Sequence, residues 1–132
     1  MKNIQIGDYV TAFYKTGTYI GEVTGERPGS YVVKVLAVVK HPRQGDLHNP
    51  GKVDVPLFHE RKALAFREQS NIPDKMVKPY EGTIPEYNES LLTAFKDFKE
   101  RLSVDPTPHD VKSLEALSEI QREYALMYGI EF

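Results

Sequence analysis

Alternation of apolar and polar side chains opens the chain. From Asp8 to Lys15, Val10, Ala12 and Tyr14 fall on one side, and Tyr9, Thr11 and Phe13 on the other. That is the two-residue period of a strand. Lys15-Thr16-Gly17 suits a three-residue hairpin closed by a left-handed glycine. The second strand spans Thr18 to Glu26, with Gly21 and Gly25 inside it permitting bends or close backbone approach. Arg27-Pro28-Gly29-Ser30 is a turn, because Pro presets one dihedral and Gly accepts positive φ. Tyr31 to Lys40 forms the third strand. Its second half, Val35-Leu36-Ala37-Val38-Val39, is apolar on both faces, which predicts cover on both sides.

Regular patterning then breaks. Residues 41–56 hold three prolines and two glycines, too many for a helix or a long strand. A loop this long in a compact domain is usually functional or disordered; Leu47, Val53 and Val55 speak against disorder. For 58–69 a helix and a strand compete. Alternation of Ala63, Ala65 and Arg67 against Leu64, Phe66 and Glu68 favours a short strand near Arg61–Phe66. Asn71-Ile72-Pro73-Asp74 reads as a turn, and Lys75–Tyr80 as a closing edge strand carrying Pro79.

The last fifty residues change period. Thr83-Ile84-Pro85-Glu86 reads as a capping box, with Pro85 in the first turn. Tyr87, Leu91, Phe95, Phe98 and Leu102 recur at helical spacing, while Asn88, Glu89, Lys96, Asp97 and Glu100 sit off that stripe. Asp105-Pro106-Thr107-Pro108 breaks the chain, and Thr107 or Asp105 caps a second helix. Its stripe is Val111, Leu114, Leu117, Ile120, Tyr124 and Met127, and Gly129 ends it. A short connection returns the helices antiparallel. An isolated pair this small cannot hide both stripes, so they pack on the strands or on another chain.

The expected fold is α+β, mainly β. A small SH3-like β-barrel over 1–82 is followed by an antiparallel helical hairpin over 83–132, packed on it as one compact unit. Such barrels serve protein and nucleic-acid partners alike, so the fold alone does not decide the function.

Composition narrows the chemistry. The 132 residues contain no cysteine, which removes disulfides, thiolate catalysis and cysteine-held clusters. Residues 1–82 carry 12 Lys and Arg against 9 Asp and Glu, a net of +3. Residues 83–132 carry 5 against 10, a net of −5. The whole chain, at −2, lacks the strongly basic footprint of a nucleic-acid binder. No stretch approaches the roughly 18 apolar residues of a membrane span. The first eight residues lack the apolar run of a signal peptide, so the expected location is cytoplasmic.

Three of the four histidines lie between His41 and His59. Imidazole and carboxylate ligate zinc, manganese or iron, which makes His41, Asp46, His48 and His59 the metal candidates. Their spacing matches no helical ligand motif, and turn formation by His-Pro, His-Asn-Pro and Gly-Asp explains the same residues; no metal or other cofactor is expected. His59-Glu60, or His48 with Asp46, has the residue types of an acid–base pair. No nucleophile or phosphate loop accompanies either pair. Arg43, Arg61, Lys62, Arg67, Lys75 and Lys78 read first as a solvated surface; the functional alternative is a patch for an acidic or phosphorylated partner.

The residues resemble a known family. Tyr14-Lys15-Thr16-Gly17, Tyr19-Ile20-Gly21-Glu22-Val23, and Val35-Leu36-Ala37-Val38 carry the likeness. Two longer strings, His41–Pro50 and Phe58–Gln69, are the distinctive ones, and Met76-Val77-Lys78-Pro79-Tyr80 continues them. They look like kinase-associated protein B, also called kinase-associated lipoprotein B, of spore-forming Gram-positive bacteria. The resemblance implies an SH3-like barrel with C-terminal helices and a role as accessory to a membrane-bound sensor histidine kinase feeding the sporulation phosphorelay. It supplies no catalytic residue. The name "lipoprotein" calls for a signal peptide and a lipidated cysteine. This chain shows neither, so membrane association is expected only through the kinase.

The expectation is therefore a non-enzymatic regulatory protein that binds a sensor kinase. Phe58, Arg61, Arg67 and Tyr80 are the candidate contact residues, since aromatics and arginine dominate interface energetics. A nucleic-acid-binding barrel, a small His/Asp metal-dependent enzyme and a homodimer through the helical stripe are the rivals.

Overall fold

The computed structural model of the chain describes residues 4–45 and 60–132. Five strands form one antiparallel sheet: β1 (Tyr9–Tyr14), β2 (Gly17–Arg27), β3 (Ser30–Lys40), β4 (Gln69–Pro73) and β5 (Val77–Pro79). Their order is β4-β3-β2-β1-β5. A 3₁₀ turn over Asp74–Met76 carries the chain from β4 on one edge to β5 on the other, and β4 also touches β1. The sheet thus curls as an SH3-like barrel does, without a hydrogen-bonded closure among the described strands.

Sequence alternation predicts the faces of β1 correctly. Val10 and Ala12 are fully buried, while Tyr9 and Phe13 look outward. The first hairpin is tighter than expected. Tyr14 pairs with Gly17, leaving a two-residue loop, Lys15-Thr16, with φ of 46° and 69°. Positive φ at both positions suits the twist of the flanking strands. Gly17 serves another purpose there: a Cβ on it would lie 2.5 Å from the Tyr19 hydroxyl. The second turn is as predicted, with Arg27 opposite Ser30 and Gly29 at φ 78°.

The β2–β3 pairing skips Thr24 on one strand and Leu36 and Val39 on the other. Each skip is a bulge that bends the ladder and turns side chains out of register. Through them β3 serves two cores. Val33 joins Val10, Ala12, Val23, Ile72 and Val77 inside the curled sheet. Val35 and Val38 join Tyr19 and the helices in a second cluster. The predicted cover of the second half of β3 is incomplete: Val35, Ala37 and Val38 are buried, but Val39 is 44% exposed.

Three expectations about the strands need correction. Asn71–Pro73 is not a turn but most of β4, because Ile72 pairs with Tyr31 and is wholly buried. The Lys75–Tyr80 strand shortens to β5, preceded by the 3₁₀ turn. No strand forms over Arg61–Phe66 either, for reasons set out below.

Helix α1 (Tyr87–Ser103) buries Tyr87, Leu91, Phe95 and Phe98, as their spacing predicts. Its cap is Glu86, whose carboxylate accepts from the Asn88 amide, and not Thr83. Thr83 instead accepts the Tyr80 hydroxyl through its carbonyl. Helix α2 (Pro108–Tyr128) starts from a capping box between Thr107 and Asp110 and stops at left-handed Gly129. Its buried face is Ser113, Ala116, Leu117, Ile120 and Tyr124. Val111 and Met127, expected on that face, are about half exposed. The helices run antiparallel: Asn88 reaches the Tyr128 carbonyl, and Lys99 reaches Gln121. Helix α1 lies along β3, where the Ser90 hydroxyl accepts from the Val38 amide at 2.9 Å. That bond satisfies a strand amide beyond the reach of β4, which pairs only with residues 30–34 of β3.

Candidate functional site

The chain from Glu60 to Ala65 joins no ladder, and a turn at Phe66-Arg67 follows it. Its polar backbone groups still need partners. Side chains provide them. The Gln44 amide donates to the Arg61 carbonyl at 2.9 Å and accepts from the Arg61 amide at 2.8 Å, so it pairs as a strand would. Three tyrosines continue the pairing. The Ala63 amide donates to the Tyr124 hydroxyl at 2.8 Å, and the Leu64 amide to the Tyr19 hydroxyl at 3.2 Å. The Tyr87 hydroxyl donates to the Leu64 carbonyl at 2.5 Å. Only at Arg67 and Glu68 does backbone pairing resume, with Val35. The sequence alternation predicted a strand here because it cannot show a strand's partner being replaced by phenols.

His41 completes this clamp. It is 2% exposed, between Phe95, Phe98 and Tyr124. Its Nδ1 lies 2.9 Å from the Pro42 carbonyl, and its Nε2 lies 2.9 Å from the Tyr124 hydroxyl. A carbonyl only accepts, so Nδ1 carries the proton and Nε2 accepts from Tyr124. The tyrosine oxygen in turn accepts from Ala63. Every proton has one place, provided the imidazole is neutral. Burial enforces that, lowering its pKa from 6.5 to about 4. Burial likewise raises the Tyr19 phenol to about 12 and raises Tyr87 and Tyr124 above the usual tyrosine value. Tyr124→Phe removes one hydroxyl and strands two buried groups, the Ala63 amide and His41 Nε2. It should cost about 1–3 kcal/mol in urea unfolding. An unchanged midpoint would show that the phenol is dispensable.

The candidate contact residues do not share one depression. Arg61 lines a polar hollow of about 300 Å³ with Tyr14, Lys15, Lys62 and Glu68. Its Nε is buried without a hydrogen-bond partner among the described residues, and Lys62 is paired with Glu123 at 2.7 Å. Arg67 is exposed at the turn into β4, with φ 69°. Tyr80 lines a different and more apolar groove, between β3 and α1. Phe58 lies outside the described residues, as do Asp46, His48 and His59 of the candidate metal set. His41, the remaining member, has both ring nitrogens committed to protein partners. Among the described residues, no group of three His, Asp or Glu side chains is placed to hold a metal.

The Tyr80 groove is the feature that sequence reasoning missed. Ile20, Val38 and Val39 form one wall, and Glu89, Ser90, Thr93 and Ala94 of α1 the other, around about 540 Å³. A second hollow of about 450 Å³ shares Val39 and Ala94 and extends past Asp97 and Glu100 to Val104.

A sequence model of the family described as "Kinase associated protein B" matches residues 14–125. The chain belongs to the kinase-associated protein B family. "Kinase-associated lipoprotein B" of Bacillus subtilis (strain 168) is 52% identical over 124 residues, covering 94% of this chain and 97% of that protein. The crystal structure of kinase-associated protein B from Bacillus cereus is 51% identical. It superposes with a TM-score of 0.79 over 92% of this chain and 98% of its own. The family match takes in the whole clamp from Tyr19 to Tyr124 and both walls of the groove. No helix among the described residues is long and apolar enough to cross a membrane.

Proposed function

We propose that the chain is a non-enzymatic accessory protein that binds the cytoplasmic region of a sensor histidine kinase feeding the sporulation phosphorelay. The observation that carries this reading is the match over residues 14–125 to a family described as kinase-associated. The geometry supports binding over turnover. The groups with shifted pKa values, His41, Tyr19, Tyr87 and Tyr124, are spent on the backbone of 61–64 or on one another. They build a rigid body for presenting surface. On this reading the protein is cytoplasmic and meets the membrane through its kinase.

The test is binding of the purified kinase cytoplasmic region to the full chain by calorimetry. A saturable complex is expected, and Phe58→Ala, Arg61→Ala, Arg67→Ala or Tyr80→Ala should weaken it, any true hot spot by more than about 1 kcal/mol. If the parent chain forms no complex, the kinase reading falls. If all four variants bind as the parent does, the contact surface lies elsewhere.

A further inference from the structure

The groove between β3 and α1 has two unlike walls. Bulge residue Val39, which has no partner on β2, is turned out into it and left 44% exposed. Bulges commonly re-aim a side chain beside a functional site. With Ile20 and Val38 it makes the sheet wall apolar. The helix wall is shallow because Ser90, Thr93 and Ala94 are small. Its rim carries three carboxylates: Glu89, Asp97 and Glu100 follow one another, with Thr93 between, at helical spacing on one side of α1, all exposed, and exposed Val104 lies just past the helix end. Lys40 and Arg101 are the cations that also line it, and Arg101 lies over the Phe98 ring. From Glu89 to Glu100 its helix wall runs about 17 Å, at about 1.5 Å per helical residue.

These features choose among occupants. With three carboxylates against Lys40 and Arg101, the rim disfavours phosphate backbones and anionic lipid. An added strand would need free outward amides on β3, and the Val38 amide is already held by Ser90. What remains complementary is a helix with one apolar face flanked by Lys or Arg. We propose that this groove seats a cationic amphipathic helix of a partner protein, its apolar face on Val39, Tyr80 and Pro85 and its basic flank along Glu89, Asp97 and Glu100. The partner's identity as a kinase rests on the reading above; the groove's preference does not.

Two arms test it. In the first, the full chain is titrated into a fluorescein-labelled helical peptide of about 15 residues, with a Leu/Ala face and Lys flanks, and into its twin with Glu for Lys. The Lys peptide should bind at least about tenfold more tightly. The double variant Asp97→Lys/Glu100→Lys should reverse that order. Thr93→Trp, which fills the groove, should weaken both peptides. All three positions are exposed, and unchanged melting checks the fold. Equal binding of the two peptides, no detectable binding, or an order that the double variant leaves intact overturns the proposal. So does light scattering that shows a dimer of the parent dissociated by Thr93→Trp, which would give the groove to a second copy.

The second arm repeats the kinase titration with the same variants. Parent binding retained in full by Asp97→Lys/Glu100→Lys and Thr93→Trp refutes the groove and spares the kinase reading. No kinase binding, together with the reversed peptide order, refutes the kinase reading and supports the groove.

Discussion

Phe95→Ala lowers the unfolding free energy by about 3–5 kcal/mol, the range for truncating a buried phenylalanine in a packed core. Phe95 is 1% exposed and meets His41, Tyr124 and Phe132 edge-on, with ring centroids 5.0 to 6.0 Å apart. The same cluster holds Tyr19, Val35 and Val38 from the sheet, Leu91 and Phe98 from α1, and Leu117 and Ile120 from α2. Removing the ring therefore opens a void where all three layers meet, and none of them can collapse into it alone. Urea unfolding followed by tyrosine fluorescence and by far-ultraviolet dichroism should show one transition moved to lower urea by both probes. A loss below about 1 kcal/mol, or a helix signal that melts apart from the sheet, would show that the helices are not built into the core.

That cluster also explains what the sequence did and did not disclose. Periodicity located the helices because their buried residues, from Tyr87 to Phe98 and from Leu117 to Tyr124, repeat at helical spacing. It located β1, β2 and β3 because tight turns join them and local alternation suffices. It failed at Arg61–Phe66, where pairing comes from Gln44, Tyr19, Tyr87 and Tyr124, three of them far away in sequence. One signal was present. Tyr, rather than Phe, at positions 87 and 124 of apolar stripes requires a polar partner for each buried hydroxyl. It also failed at α2, where Val111 and Met127 sit at helical spacing but lie beyond the surface that α1 can cover. The groove was harder still. Glu89, Asp97 and Glu100 read as a solvated face, and only the bulge at Val39 shows that an apolar wall stands opposite them. Of the contact residues chosen by type, Tyr80 lines that groove and Arg61 a separate hollow, a division that residue type cannot reveal.

Acid loosens the same junction through His41. Its folded pKa, about 4, lies below its ordinary value of 6.5, so the unfolded chain binds the proton more readily between those limits. The associated stability is complete above pH 6.5 and is lost as pH falls toward 4. At about 1.4 kcal/mol per pH unit, that gap corresponds to about 3 kcal/mol. The cause is local. Phe95 and Phe98 offer no charge to a protonated ring, and burial is the largest influence on it, with the Pro42 carbonyl opposing only in part. Protonation would also force Nε2 to donate to a phenol oxygen that already accepts from Ala63, leaving the phenol proton without an acceptor. Acid acts on proteins through carboxylates as well as histidine, so the parent must be compared with His41→Gln, whose amide keeps a donor and an acceptor but takes up no proton. Urea unfolding at pH 7, 5.5 and 4.5 should show the parent losing stability steadily from pH 6.5 downward. The variant, less stable at pH 7, should stay flat until the carboxylates begin to titrate. Parallel curves for the two chains would mean that His41 is hydrated and protonates freely, and the clamp between the sheet and the helices would then need a different keystone.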